Sequence, residues 1–194
     1  SVPTDSGSEP DVVLGQGDFD TCQSNDDDQD GISDAAPSNR VLNYPSDVWS
    51  DGERLVVADA SNNRVLIWNQ VPTTDFAAAD AVLGQAGFNS GSPGTGQLGL
   101  NFPYYVHSNG NQLFVADSSN SRVLIWDSVP EASGQPADQV LGQPDFDTTE
   151  RNAGQPSVNA AGFAHADGVF AYENQLFVAD SDNARILVFE PVSP

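Results

Sequence analysis

The chain has 194 residues, the length of one ordinary domain, and its 38% hydrophobic content suffices for a core. Six Arg and no Lys stand against 28 acidic residues, a net charge of −22. That balance excludes nucleic acid and anionic membranes as partners, because both demand cationic contacts, and it favours cations, basic partners or a saline medium.

Residues 1–10 are small, polar and proline-containing, and read as a flexible N-terminal arm. Next comes Asp11-Val12-Val13-Leu14-Gly15-Gln16, a short β-type run stopped by Gly. It returns as Val82-Leu83-Gly84-Gln85 and as Val140-Leu141-Gly142-Gln143. Four residues beyond each of these glycines stands a Phe (Phe19, Phe88, Phe146) able to fold back onto the core. Cys22 is the single cysteine, which leaves it free or paired between chains. Residues 25–34 follow with Asp26, Asp28, Asp30, Gly31 and Asp34. Alternating carboxylates on a tight loop converge on one hard cation, and the Gly permits the sharp turn, so Ca2+ is the expected ion.

Three short strands then recur in fixed order. Strand a falls near 45–50, 103–108 and 166–171; strand b at 54–59, 112–117 and 175–180; strand c at 64–70, 122–128 and 185–190. The Gly-stopped run is strand d, at 11–15, 80–84 and 138–142. Asp51-Gly52 and Asn109-Gly110 are hairpin signals between a and b. Strands b and c flank the phrase Val-Ala-Asp-x-x-Asn-x-Arg. Asp59, Asp117 and Asp180 end strand b, and Arg64, Arg122 and Arg185 open strand c. The Asp can bond turn amides, the Arg can pair with it or with a neighbouring carboxylate, and Asn62, Asn120 and Asn183 suit a left-handed turn position. Repetition in every unit assigns these residues a structural role, since a catalytic group is expected once. No segment sustains a 3.6-residue period, so almost no helix is expected.

Four antiparallel strands repeated every ~40–60 residues are the signature of β-propeller blades. The Ala-Asp-x-x-Asn-x-Arg-Val core and the Val-Leu-Gly-Gln run resemble the NHL-repeat family over about residues 11–192. The fold expected is therefore all-β, with three blades at about 11–71, 72–129 and 130–194. The order is d-abc-d-abc-d-abc. Propellers close with about four to eight blades, so three leave open edges and apolar blade faces exposed. Three remedies follow: a six-bladed dimer in which each N-terminal strand d completes the other chain's last blade, a head-to-tail filament built by the same donation, or a longer six-bladed protein of which this is a piece.

The acidic loop resembles the calcium loops of EF-hand and thrombospondin type-3 repeats. By that resemblance Asp26, Asp28, Asp30 and Asp34 supply side-chain oxygens and Ile32 a backbone carbonyl, while Pro37 replaces the bidentate Glu of an EF-hand. His107 aligns with Trp49 and Phe170, and His165 with Tyr44 and Phe102, which favours packing over metal ligation for both. Tyr104 and Tyr105, in the second unit alone, are candidates to stack on a sugar at the channel mouth. No nucleophile elbow, phosphate loop or Cys/His pair is present. No stretch approaches the ~20 apolar residues of a membrane span, so no membrane insertion is expected. The acidity and the absence of Met point to a processed, exported chain, extracellular or at the cell surface, with the periplasm as an alternative. The function expected is a secreted, non-enzymatic module that assembles with itself and binds a protein or sugar ligand. The alternative is a calcium-dependent lyase, lactonase or hydrolase working in the channel of a six-bladed ring.

Overall fold

The structure is a computed structural model and describes residues 6–190; residues 1–5 of the expected arm lie outside them. Each blade begins with a strand of six or seven residues and continues through two hairpins. Blade 1 comprises β1 (Pro45–Ser50), β2 (Leu55–Asp59), β3 (Arg64–Trp68) and β4 (Ala81–Leu83) in one antiparallel sheet. Blade 2 repeats it with β5 (Pro103–Ser108), β6 (Leu113–Asp117), β7 (Arg122–Trp126) and β8 (Gln139–Leu141). Blade 3 has β9 (Ala166–Tyr172), β10 (Gln175–Asp180) and β11 (Arg185–Phe189), and among the described residues no fourth strand. The first strands β1, β5 and β9 lie side by side along one inner edge. Each carries a bulge at its start, opposite the repeat Asp.

Alternation along the strands gives every blade two apolar faces, and successive blades bury them against each other. Val56, Ala58, Val65 and Ile67 of blade 1 pack on Val106, Leu113, Val115 and Leu124 of blade 2. Phe114, Ala116, Val123 and Ile125 on the other face of blade 2 pack on Val169, Leu176 and Val178 of blade 3. Polar ties reinforce both seams. Asn63 donates from Nδ2 to Gly91 O at 2.8 Å and accepts from Phe102 N at 2.8 Å. Ser121 donates to Ala164 O at 2.9 Å. The equivalent residue in blade 3 is Ala184, which has no polar side chain to offer.

The left-handed position of each b–c turn differs from the sequence expectation by one residue. Asn62, Asn120 and Asn183 lie inside short 3-10 turns, and Asn63, Ser121 and Ala184 take φ near +50°. The reason is that each Asn spends its amide on the repeat Asp, with Asn62 Nδ2 2.8 Å from Asp59 Oδ2, so the reversal falls on the next residue.

The expected strand d at 11–15 joins no sheet; its pairing is a single parallel bridge between Gly15 and Val41. It is nevertheless seated as its homologues are. Gly15, Gly84 and Gly142 all have φ between +83° and +88°, and a Cβ on each would strike Leu42, Leu100 or Phe163 within 2.8 Å. Glycine is required there on both counts. Val13 accepts from Phe76 N at 3.0 Å and its amide donates to Asp75 at 2.9 Å, as Val82 accepts from Gly134 N and donates to Ser133. What residues 11–15 lack, among the described residues, is a strand c to pair with.

Candidate functional site

The repeat Asp and Arg form a buried network rather than a site. Asp59 Oδ2 accepts from Arg64 Nε at 2.7 Å, and Oδ1 accepts from Asn43 N at 2.7 Å. Arg64 then donates to Phe88 O at 2.6 Å and Val41 O at 2.8 Å, so one guanidinium holds the loops before and after its own blade. Asp117 and Arg122 repeat this, with Arg122 donating to the carbonyls of Phe146, Gly99 and Gly96. Arg partners the Asp five residues before it, not a neighbouring blade's carboxylate. Desolvation pushes the Asp59 and Asp117 carboxyls upward, against the pull of their Arg partners and amide donors. Asp180 differs. Desolvation raises it as well, but Asn183, the amides of Ala164 and His165, and Arg185 outweigh it, and the net shift is downward.

The acidic loop gathers three of its expected ligands. Carboxylate oxygens of Asp26, Asp28 and Asp30 lie within 4.8 Å of one another, and this group could hold a metal ion. Asp26 is 1% exposed, and its two oxygens accept from Asp30 N at 3.1 Å and Gly31 N at 2.9 Å. The turn amides thus fold the loop around Asp26. At Asp28 the Asp30 amide lowers the pKa, but desolvation and the carboxylates of Asp30, Asp34 and Asp26 outweigh it and the net shift is upward. Crowded like charges of this kind accept a cation readily, and an all-carboxylate donor set suits a hard one. Asp34 stands outside the group, its Oδ2 accepting from Asp27 N at 2.8 Å. The Ile32 amide donates to Asp30 Oδ1 at 2.8 Å, which helps aim that carboxylate. Two side chains tie the loop to its surroundings. Gln29 reaches from Gly17 N to Asp26 O, and Asn25 exchanges two amide hydrogen bonds with Asn62 of the buried network. Cys22 is exposed beside it.

A row of rings occupies the start of the inner strands. Tyr44, Phe102, Tyr104 and Tyr105 follow one another with centroids 5.9, 6.1 and 6.5 Å apart. Tyr44 and Phe102 hold φ of +57° and +54°, an uncommon conformation for aromatic residues. The Tyr44 hydroxyl raises the pKa of Tyr104. Beyond the row, His165 Nδ1 lies 2.6 Å from Asp167 Oδ1, and Ser181 donates to the other oxygen of Asp167. This hydroxyl is spent on a carboxylate and not on the imidazole, so the three do not form a nucleophile relay. His107 packs on Phe170 at 4.7 Å with Nε2 3.0 Å from Ala171 O, and desolvation lowers its pKa.

The largest departure from the repeat is the far face of blade 3. Ile186 and Val188 are 63% and 51% exposed, whereas their equivalents in blades 1 and 2 are at most 4% exposed. Phe170, Phe177, Ala179 and Ile186 border an apolar groove of about 360 Å3 on this face. At the other end of the chain, Val48 of blade 1 is 60% exposed, against 2% for Val106 and Val169. The rest of that blade 1 face is covered: Val57 is 6% and Leu66 0% exposed, and Leu14, Leu42 and Phe88 pack against their cluster. Exposed apolar blade faces follow from three blades that do not close; which residues stand open, Ile186, Val188 and Val48, was not legible from the sequence. No family model matches the chain, and no curated protein matches it significantly.

Proposed function

We propose that this protein is a self-assembling module of NHL-like blades that works by binding rather than by catalysis. The observation that supports this is the uncovered apolar face of blade 3, with Ile186 and Val188 exposed where their equivalents are buried, together with the exposed Val48 of blade 1. Complete burial of an aliphatic side chain contributes roughly 2 kcal/mol. Two side chains therefore do not offset the ~4–15 kcal/mol cost of association. Mating a whole blade face, with a strand added to the free edge of β11, does. The contact is heterologous, between the blade 3 end of one copy and the blade 1 end of the next, and yields a ring or a filament according to whether the rotation closes. Each copy carries −22, and its Arg residues are largely engaged internally, so repulsion opposes assembly and salt relieves it. That dependence suits a secreted protein in a saline medium. Light scattering at physiological or higher ionic strength will show species of two or more chains, and the double variant Ile186→Asp, Val188→Asp will be monomeric with an unchanged β spectrum. A monomer at every concentration and salt sinks the reading.

The ion of the acidic loop is, in this reading, Ca2+, held by Asp26, Asp28 and Asp30 and serving to stiffen the loop that precedes blade 1. Calorimetry with millimolar Ca2+ will record binding that Asp30→Ala reduces at least tenfold. Equal heats from both proteins would remove the ion from the account.

A further inference from the structure

Blades 1 and 2 each receive a following segment through one set of contacts, and residues 11–19 carry every group needed to make that set a third time. On blade 1, β4 pairs with β3 so that Val82 stands opposite Leu66. Asp80 accepts from Asn69 N at 2.8 Å through its carboxylate, and its own amide donates to Ile67 O at 2.8 Å. Gln85 Nε2 donates to Asn63 O at 2.7 Å, and Arg64 reaches Phe88 O. On blade 2 the same five links join Val140 to Leu124, Asp138 to the amide of Asp127 and the carbonyl of Ile125, Gln143 to Ser121 O at 3.1 Å, and Arg122 to Phe146 O.

Asp11, Val13, Gln16 and Phe19 stand at the same offsets. Their contacts toward the following blade are already made. Val13 bonds Asp75 and Phe76, Leu14 packs against Val57, Leu66 and Trp68 on the blade 1 face turned away from blade 2, and Gln16 Nε2 donates to Gln23 O at 2.9 Å as Gln85 does to Ser92 O. Their contacts toward a preceding blade are not. Phe19 is 52% exposed, while Phe88 and Phe146 pack on the core clusters. On the receiving side, Arg185 turns Nη1 to Asn159 O at 2.8 Å, a carbonyl of its own preceding loop, where Arg64 and Arg122 hold a Phe carbonyl of the loop that follows.

We infer that Asp11–Phe19 of a second copy of this chain seats on blade 3 in the register Val13 opposite Leu187, with Asp11 on the Glu190 amide, Gln16 on the Ala184 carbonyl and Arg185 on the Phe19 carbonyl. The register rests on the self-assembly reading and specifies it residue by residue. The template pair Leu66–Val82 leaves the d residue's own amide and carbonyl to the neighbouring loop, so Val13 opposite Leu187 is a non-hydrogen-bonded pair, with Cα atoms about 4.5 Å apart. That separation lies within disulfide range. A one-residue slip turns Val12 and Leu14 away from the face that Ile186 and Val188 leave open, because it reverses every side chain, and a two-residue slip breaks the Asp11, Gln16 and Phe19 links.

Cysteine pairs test the register in a Cys22→Ser background. Val13→Cys with Leu187→Cys will form inter-chain disulfides on mild oxidation, seen as dimers or ladders on a non-reducing gel that reduction abolishes. Val13→Cys with Ile186→Cys, one residue out of register, will yield at least tenfold less. Should Leu187→Cys loosen blade 3, Val12→Cys with Val188→Cys reads the same alignment at exposed or half-buried positions. Multi-chain species that cross-link in the offset pair, or in none, overturn the register and leave self-assembly standing. Cross-links within one chain overturn it too, and a strict monomer overturns both.

Discussion

Blades 2 and 3 are built from nearly the same phrase and live in different environments. Blade 2 has a neighbour on each face, and Asp117 and Arg122 are fully buried. Among the described residues blade 3 has one neighbour, and the Arg185 side chain is 22% exposed although Asp180 is not. The carboxyl response follows: burial raises Asp117, and the donors around Asp180 lower it. An identical motif thus carries a different electrostatic load according to what covers it, and the cover is the next blade. Stability in stacked repeats is a sum of unit terms and neighbour terms, and blade 3 lacks one neighbour term.

The strongest way to break this comparison is to delete the carboxylate in each blade. Asp117→Ala strands a buried guanidinium and will cost about 3–5 kcal/mol in urea unfolding. Asp180→Ala leaves Arg185 with access to water and will cost ~1.5 kcal/mol. Equal losses would mean that the open face does not matter. A smaller effect sharpens the same contrast. Asp180 is held below its ordinary 3.8, so its contribution is fully present above pH 3.8 and fades as the pH falls further. Asp59 and Asp117 are shifted the other way, so the folded state binds their protons more tightly than the unfolded chain does, and acidification does not weaken blades 1 and 2 through them. Amide exchange, corrected for intrinsic rate, will accelerate in β9–β11 below pH 3.8 and not in β5–β7, and Asp180→Asn will erase the difference.

Much of this was legible in the sequence, for a physical reason. Strands a, b and c follow from repeated alternation bounded by turn residues, and the Asp-x-x-Asn-x-Arg phrase announces an interaction by recurring at fixed offsets. The short run 80–84 became β4 because β3 is beside it; the same run at 11–15 did not become a strand, because pairing belongs to two segments and a sequence window shows one. What the Arg residues hold was hidden for a related reason. Their acceptors are the carbonyls of Phe88, Val41 and Phe146, and a backbone acceptor leaves no mark in the residue alphabet. Gln85 and Gln143 were visible as part of a repeat, but their bonds to Asn63 O and Ser121 O were not. In the acidic loop the spacing of Asp26, Asp28 and Asp30 around Gly31 made their convergence legible, as a group that could hold a metal ion. Asp34 was drawn away by the free amide of Asp27, a local competitor that spacing does not reveal.

Position 184 carries a mechanical consequence. Asn63 and Ser121 rivet each blade to its successor, and Ala184 offers no rivet where a successor from another molecule would sit. A joint made there is weaker by those bonds than the joints inside the chain. Under tension or dilution such an assembly parts along its subunit boundaries, blades intact, and its pieces remain competent to rejoin.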